Sequence, residues 1–385
     1  MKAVIAIDSF KGSLSSLEAG KAAEEGIKRV FPEAETVIRP VADGGEGTVE
    51  ALVSGLDGQF IETNARDPLG RPIRAKYGIL PDNTAVIEMA AASGLTLLSE
   101  SERNPMLTTT YGTGELILDA VRRGCRSFII GIGGSATNDG GIGCLQALGF
   151  GMLDKNGRQI GYGAESLSQL AAVTAENAVP ELKECRFYAA CDVANPLCGD
   201  NGCSAVFSPQ KGADAEMIPL MDSWLMHYAE ITKQFNPLAS PDTAGAGAAG
   251  GLGYALMYYL NAELESGVDL IMRETRLEED IKNSDIVITG EGCLDSQTAM
   301  GKAPVGIARI AKKYGKPVIA FSGAVRSGAE LCNIYGIDAY FPVIRSICTL
   351  EQAMGTNNAY NNLSDTAEQV FRTVKLFSKQ DGSCL

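Results

Sequence analysis

Both ends of this chain repeat one order of segments, and that repetition limits the fold more than any single residue does. A β-branched apolar run is followed by a turn rich in glycine and aspartate, then by a stretch whose apolar residues recur at helical spacing. KAVIAID precedes SFKGSLSSLEAGKAAEEGIKRVF, and ETVIRPVADGG precedes EGTVEALVSGL. Further on, DIVITGEG precedes MGKAPVGIARIAKKYG, PVIAFSG follows, and DAYFPVI leads towards a terminal helix expected around Leu363 to Phe377. Runs that are apolar on both faces are covered on both sides by crossover helices, so the pattern predicts a parallel sheet.

The middle of the chain reads differently. QFIETNARDPLGRPIRAKYGIL has the form of two strands joined by a Pro-Gly turn, with TAVIEMA after it, and antiparallel pairing is expected there. FGMLDKNGRQI carries a second hairpin signal at Lys155-Asn156-Gly157, with CRFYAACDV as a later strand of the same region. A chain of 385 residues exceeds what one core usually holds, which favours two domains. The expected fold is α/β: a discontinuous flavodoxin- or Rossmann-like parallel-sheet domain from 1–57 and 283–385, an inserted mixed α/β domain over 58–282, and a cleft between them. Residues 105–150 fit either domain.

Charge excludes one class of partner. With 33 basic against 47 acidic residues the formal net charge is -14, and a nucleic-acid backbone needs a basic surface to release its counterions. A small anion is still admissible, because a few lysines and helix N-termini suffice to hold it. Ten cysteines in this length fall far below disulfide-scaffold density, and the C-x6-C-x4-C spacing of Cys191, Cys198 and Cys203 does not match common zinc arrangements. MKAVIAIDSF reads as a strand rather than a signal peptide, and no apolar run reaches membrane-spanning length. A cytoplasmic protein without membrane or nucleic-acid partners is expected, with a homodimer as the candidate assembly.

Ligands of open parallel sheets bind beyond the carboxyl ends of the strands. Asp8, Asp43 and Glu291 stand at or just past such ends, and Asp192 has a similar place in CRFYAACDVANP. One acid in such a turn is ordinarily a helix cap; it is the recurrence that points to a site. Lys11, in DSFKGS, follows the first strand end and precedes an expected helix cap at Ser13, where a cation can meet an anion held by the helix. Asp43 and Glu46, around the glycines of ADGGEGT, suit a hard cation such as magnesium and equally suit a capping role. GEGCLDSQTAMGKAP offers Glu291, Asp295, Ser296 and Thr298 in a polar turn. Gly301-Lys302 is no Walker A loop, since Ser296 and Ala303 stand where a glycine and a hydroxyl residue belong. The literal G-x-G-x-x-G at Gly245, Gly247 and Gly250 follows no strand and reads as a flexible loop feeding a helix near Leu252 to Tyr259.

IGIGGSATNDGGIG, from Ile130, has a G-x-G-x-x-A match at Gly131, Gly133 and Ala136, with Asp154 downstream as in a dinucleotide site. An NAD-dependent hydroxyacid dehydrogenase is therefore one reading. Ser135, Thr137, Asn138 and Asp139 crowd the turn, however, and a carboxylate beside pyrophosphate repels it unless a metal or a hydroxylated substrate intervenes. The single histidine, His227 in DSWLMHYAE, leaves triad hydrolysis and histidine-assisted hydride transfer without their usual agent. An inventory of carboxylates and lysines suits phosphoryl transfer, where positioning and electrostatics do most of the work. An organic-acid-sensing module without chemistry is the reading from another class.

DSFKGSLSS, ADGGEGT, RDPLGRP, GGSATNDGG, CDVANPLCG and GEGCLDSQT, in that order, resemble the bacterial glycerate kinases of type I, and the resemblance runs from Met1 to about Phe377. It implies ATP- and Mg2+-dependent phosphorylation of D-glycerate, many members making the 2-phosphate, on a flavodoxin-like domain with an inserted second domain. On that footing Asp192 is the expected base for the glycerate hydroxyl, with Asp295 its rival, and Lys11 the cation for the transferred phosphate. Arg66 or Arg71 would pair with the glycerate carboxylate, unless RDPLGRP marks only a turn. Ser135, Thr137 and Asn138 are further substrate candidates, Gly133, Gly134, Gly290 and Glu291 nucleotide candidates, and Asp8, Asp43, Glu46 and Asp139 magnesium candidates.

Overall fold

A computed structural model describes residues 1–42 and 44–378. Asp43 therefore lies outside the described residues. The strands, numbered in chain order, are β1 (Lys2–Ile7), β2 (Glu35–Ile38), β3 (Gln59–Arg66), β4 (Pro72–Ile79), β5 (Thr84–Glu88), β6 (Ser127–Gly131) and β7 (Gly151–Leu153). They continue with β8 (Ala172–Thr174), β9 (Arg186–Ala190), β10 (Glu263–Glu265), β11 (Ile286–Leu294), β12 (Val318–Val325) and β13 (Ala339–Pro342). The chain divides into two compact units: Met1–Asp43, Glu50–Asp57 and Val268–Leu385 form the first; Gly44–Val49 and Gly58–Gly267 form the second.

The first unit holds a five-stranded sheet ordered β13-β12-β11-β1-β2, and every pairing in it is parallel. Counted within the unit this is the order 2-1-3-4-5 of flavodoxin-like sheets, whose ligand site lies where the first and third strands part. Here that switch point falls between β1 and β11, which run in register from Ala3 opposite Ile286 to Ile7 opposite Gly290. Ile5, Ile7, Ile288 and Phe321 are buried from the sheet, as are Ile27 of helix Ser16–Val30 and Leu363 and Phe371 of helix Thr356–Ser378. Fully burying one such side chain is worth about 1.5–3 kcal/mol. The close fit of the two helices needs Gly26, where an added Cβ would come 2.2 Å from the Ser364 carbonyl oxygen.

The cap of helix Ser16–Val30 is Ser15, not Ser13. Ser15 and Glu18 exchange the reciprocal bonds of a capping box. Residues 10–14 make a tight turn first, closed by the Phe10–Leu14 bridge with Gly12 at φ 76°, and this displaces the helix start by two residues.

The second unit has a six-stranded sheet ordered β10-β9-β6-β5-β4-β3. β3, β4 and β5 pair antiparallel as their hairpin signals predict, whereas β5, β6, β9 and β10 are parallel. The antiparallel expectation for the region of CRFYAACDV is thereby corrected. Its strand β9 lies between β6 and β10, and only β7 and β8 form a separate antiparallel pair. SFIIG, as β6, belongs to this unit, and residues 268–282 fall in the first unit rather than the second.

Candidate active site

In the first unit the strand ends around the β1/β11 switch point open onto a cavity of about 360 Å³. Asp8, directly after β1, is buried, and its backbone N–H donates to the Gly290 carbonyl at 2.9 Å. Glu291 is also buried and accepts a bond from Thr298 Oγ1 at 2.5 Å. β11 runs on through the turn expected at GEG to Leu294, so that Glu291 sits within a strand and Asp295 just beyond it. Asp295 then caps the short helix Ser296–Ala299 through Oδ1, which accepts from the backbone N–H of Gln297 at 2.8 Å and of Thr298 at 3.2 Å.

Three cations line the same cavity: Lys11, Lys302 and Arg326. Lys302 precedes helix Ala303–Lys313, and Arg326 follows β12, whose register with β11 sets Cys293 opposite Ala324. Neither the Lys302 ammonium nor the Arg326 guanidinium has a hydrogen-bond or ion-pair partner among the described residues. Arg326 carries no local sequence signal. Only the parallel pairing of two strands distant in sequence delivers it to the cavity.

The second unit treats its polar strand ends differently. After β6, residues 132–141 turn their side chains inward. Asp139 is fully buried, and its carboxylate accepts from Thr110 N at 2.8 Å, Thr110 Oγ1 at 2.9 Å, Gly141 N at 3.0 Å, Gly143 N at 3.3 Å and Thr109 Oγ1 at 3.4 Å. Burial raises its pKa, while the donors of Thr110, Gly141 and Gly143 work in the opposite direction. A carboxylate held by five donors with no exposed face is poorly placed to ligate magnesium, and Asp139 leaves the metal candidates. Asn138 is also buried and donates from Nδ2 to Ser204 Oγ at 2.9 Å; Thr137 is buried as well. Lys211, a residue with no motif around it, is buried beneath the loop and donates to Ser135 Oγ at 2.8 Å and to the Thr137 carbonyl at 2.7 Å. Burial pushes its ammonium down to about 8. Ser135 Oγ and Asn138 Nδ2 are thus engaged inside the loop, whereas Thr137 Oγ1 and Asn138 Oδ1 are buried without a hydrogen-bond partner among the described residues.

The glycines of this stretch make room for backbone. A Cβ on Gly131 would come 2.7 Å from the Gly44 carbonyl oxygen, and one on Gly133 would come 3.0 Å from Gly45 Cα. Gly133 is thus packed against the 44–45 backbone, and neighbouring Gly134 has φ 72°. The other glycine run is packed, not flexible: Gly250 has no room for a Cβ, which would lie 2.1 Å from the Thr137 carbonyl oxygen, and its own carbonyl accepts from Gly140 N.

Asp154, the acid a dinucleotide would need, instead folds its own exposed turn, accepting from the backbone N–H of Asn156 at 2.8 Å and of Arg158 at 2.9 Å. The arginines of RDPLGRP are engaged too. Arg71 pairs with Asp67 and with Glu102, and Arg66 lies over the Tyr111 ring at 4.5 Å with Nη1 3.7 Å from Glu115. His227 bonds the Leu170 carbonyl through Nε2 at 2.9 Å, on an exposed helix face.

Two acids of this unit remain at strand or loop ends. Asp192, exposed after β9, accepts from Gly267 N at 3.1 Å through Oδ1. Glu46 is exposed on the 44–49 loop, and the helix start there is capped by Glu88 at the end of β5, which accepts from Val49 N at 2.8 Å. Burial raises the Glu88 pKa against the pull of the backbone N–H groups of Val49, Gly47 and Thr48. Glu88 had no motif to single it out. Its alignment with the loop depends on the β5–β6 pairing.

The model of the glycerate kinase family matches residues 3–375. The chain belongs to that family. It is an enzyme, a kinase. The chain is 48% identical to the glycerate 2-kinase of Escherichia coli over 99% of its own length and 100% of that protein, and 48% identical to the glycerate kinase of Bacillus subtilis over 98% of each. Among solved structures it is similar to a putative glycerate kinase 2 from Salmonella typhimurium, at 45% identity and a TM-score of 0.90, covering 98% of this chain and 99% of that one. Family membership and the spent Asp154 together leave the dehydrogenase reading without support.

Proposed function

We propose that this glycerate kinase family member transfers the γ-phosphoryl group of ATP to a hydroxyl of D-glycerate, giving 2-phosphoglycerate, with Mg2+ and in the cytoplasm. The observation that carries the reading is the switch-point cavity, where Lys11, Lys302 and Arg326 converge with Asp8, Glu291 and Asp295. Phosphoryl transfer asks for this set: cations for the charge that spreads over the transferred group, and hard oxygen donors for a metal.

Among the described residues no cluster of three or more acids, cysteines or histidines could hold a metal by itself. Magnesium usually keeps several waters and phosphate oxygens and needs only one or two carboxylates. Asp8 and Glu291 fit that demand; of the original set Glu46 also remains a candidate, as does Asp43, which lies outside the described residues. Asp8 and Glu291 would hold the ion, which when bound would supply positive charge against the negative charge that develops in the transfer. Lys11, Lys302 and Arg326 would bind the polyphosphate and hold it in line for attack. Asp192, exposed after β9, would accept the proton of the glycerate hydroxyl.

Two substitutions separate the base from its rival. Asp192→Asn is expected to lower kcat with glycerate and MgATP at least about a hundredfold, the usual value of a positioned base. Asp295→Asn should cost far less, because asparagine caps a helix about as well as aspartate. The reverse order of the two losses would move the base to Asp295, and chromatographic separation of the 2- and 3-phosphoglycerate products tests the regiochemistry.

A further inference from the structure

The cavity of the first unit is lined by apolar side chains as well as charged ones: Phe10, Val343, Leu350 and Met354 stand beside Lys302 and Arg326 in its lining. Phe10 and Val343 are buried, whereas Leu350 is 75% exposed on the rim. Met354 reaches across the turn after β1: a Cβ on Gly12 would come 2.9 Å from its Cε. Thr356 Oγ1 fastens this segment by donating to the Ser13 carbonyl at 3.1 Å.

Two polar groups of the same lining have no protein partner among the described residues. They are Ser13 Oγ, which is buried, and the side-chain amide of Asn362. An amide offers one donor and one acceptor side by side. Adenine presents the complementary pair at N6 and N7, whereas guanine presents two acceptors there, O6 and N7. A flat, weakly polar base joined to a polyphosphate calls for both kinds of lining that the cavity has, and its volume of about 360 Å³ is ordinary for small-molecule sites.

We propose that the wall formed by Phe10, Val343, Leu350 and Met354 is the nucleobase subsite and that the Asn362 amide reads the adenine edge. The inference rests on the reading of MgATP as phosphoryl donor, and goes beyond it by naming the residue that selects the base. Asn362 is a binding and specificity residue. It takes no part in the transfer itself.

The test is a coupled assay on the full chain with D-glycerate and either MgATP or MgGTP. Asn362→Leu is expected to raise KM for MgATP about tenfold and to reduce the ATP-over-GTP ratio of kcat/KM about tenfold, the scale of one paired base edge. KM for glycerate should move less than about twofold, since a lost base contact is not felt at the acceptor. Leu350→Ala, on an exposed rim residue whose loss threatens no core, should raise KM for MgATP about threefold through lost apolar contact. If both folded variants keep the parental KM for MgATP and the parental nucleotide preference, the subsite is wrong although the kinase reading stands. If the parent transfers phosphate to glycerate from neither nucleotide, the kinase reading itself fails.

Discussion

The two units both present polar, glycine-rich loops at the carboxyl ends of parallel strands, yet they use them in opposite ways. After β6 the motif is the denser one, with Ser135, Thr137, Asn138 and Asp139 in five residues, and all four are buried. At the β1/β11 switch point the charged residues are scattered over five segments, from Asp8 to Arg326, and they line one cavity. The contrast separates two meanings of polar density. A short polar run whose carboxylate takes up neighbouring backbone N–H groups stiffens a loop, while Lys302 and Arg326, brought together from distant segments without partners among the described residues, hold binding capacity in reserve. Motif richness marks the first as readily as the second.

Breaking the inward loop should damage the fold. Asp139→Asn replaces an acceptor by a donor where Thr110, Gly141 and Gly143 all present N–H groups, and stranding even one or two of them costs about 3 kcal/mol or more. Urea unfolding would measure that loss, and the folded variant should keep the parental magnesium dependence of its rate. A weakened magnesium dependence at unchanged stability would return Asp139 to the metal candidates and break the comparison.

Breaking the switch-point cavity should damage turnover. Lys302→Ala and Arg326→Ala remove charges without structural partners, so thermal stability should stay within about 0.5 kcal/mol, the usual range for surface changes. The kcat/KM for MgATP should fall about a hundredfold, as loss of one preorganised charge contact to a developing anion typically does. Ser135→Ala, in the inward loop, sharpens the contrast: it should lose about 1 kcal/mol of stability with the bond from Lys211 and lose little activity. Equal kinetic losses in Ser135→Ala and Lys302→Ala would remove the distinction between the two regions.

Sequence periodicity carried the fold because strand-turn-helix order is local: β1, β2, β11 and β12 all stand where β-branched runs end in glycine or aspartate. Strand order is not local, and with it the β1/β11 switch point stayed out of reach. The helix cap was legible but misassigned, since Ser15-x-x-Glu18 is a capping box in the bare sequence and Ser13 has no acid three residues on. Asp8, Lys11, Glu291 and Asp295 were legible as strand-end residues. Lys302 drew notice only as a failed Walker motif, and Arg326, Glu88 and Lys211 drew none. Their roles depend on strand register or on burial by residues far along the chain, and a lysine in a loop sequence such as SPQKGAD gives no sign that it is enclosed.

Lys211 provides the smallest and most diagnostic test, because burial makes its charge a function of pH. Its ammonium is pushed from 10.5 down to about 8 in the folded chain. Below pH 8 both states carry the proton, and the folded state bears the full penalty of enclosing it. Between pH 8 and 10.5 the unfolded chain still binds the proton that the folded chain has released, so this group makes stability rise with pH by up to about 1.4 kcal/mol per unit. Above that window its contribution is flat. Lys211→Met lacks the titration while sharing the other ionisable groups. The difference in unfolding free energy between parent and variant should therefore shift in the parent's favour by about 2–3 kcal/mol between pH 7.5 and 10. An enclosed lysine gives this slope, and a solvated loop lysine gives none; a pH-independent difference would mean that the loop after β6 is open and that Ser135 and Thr137 are available to a ligand after all.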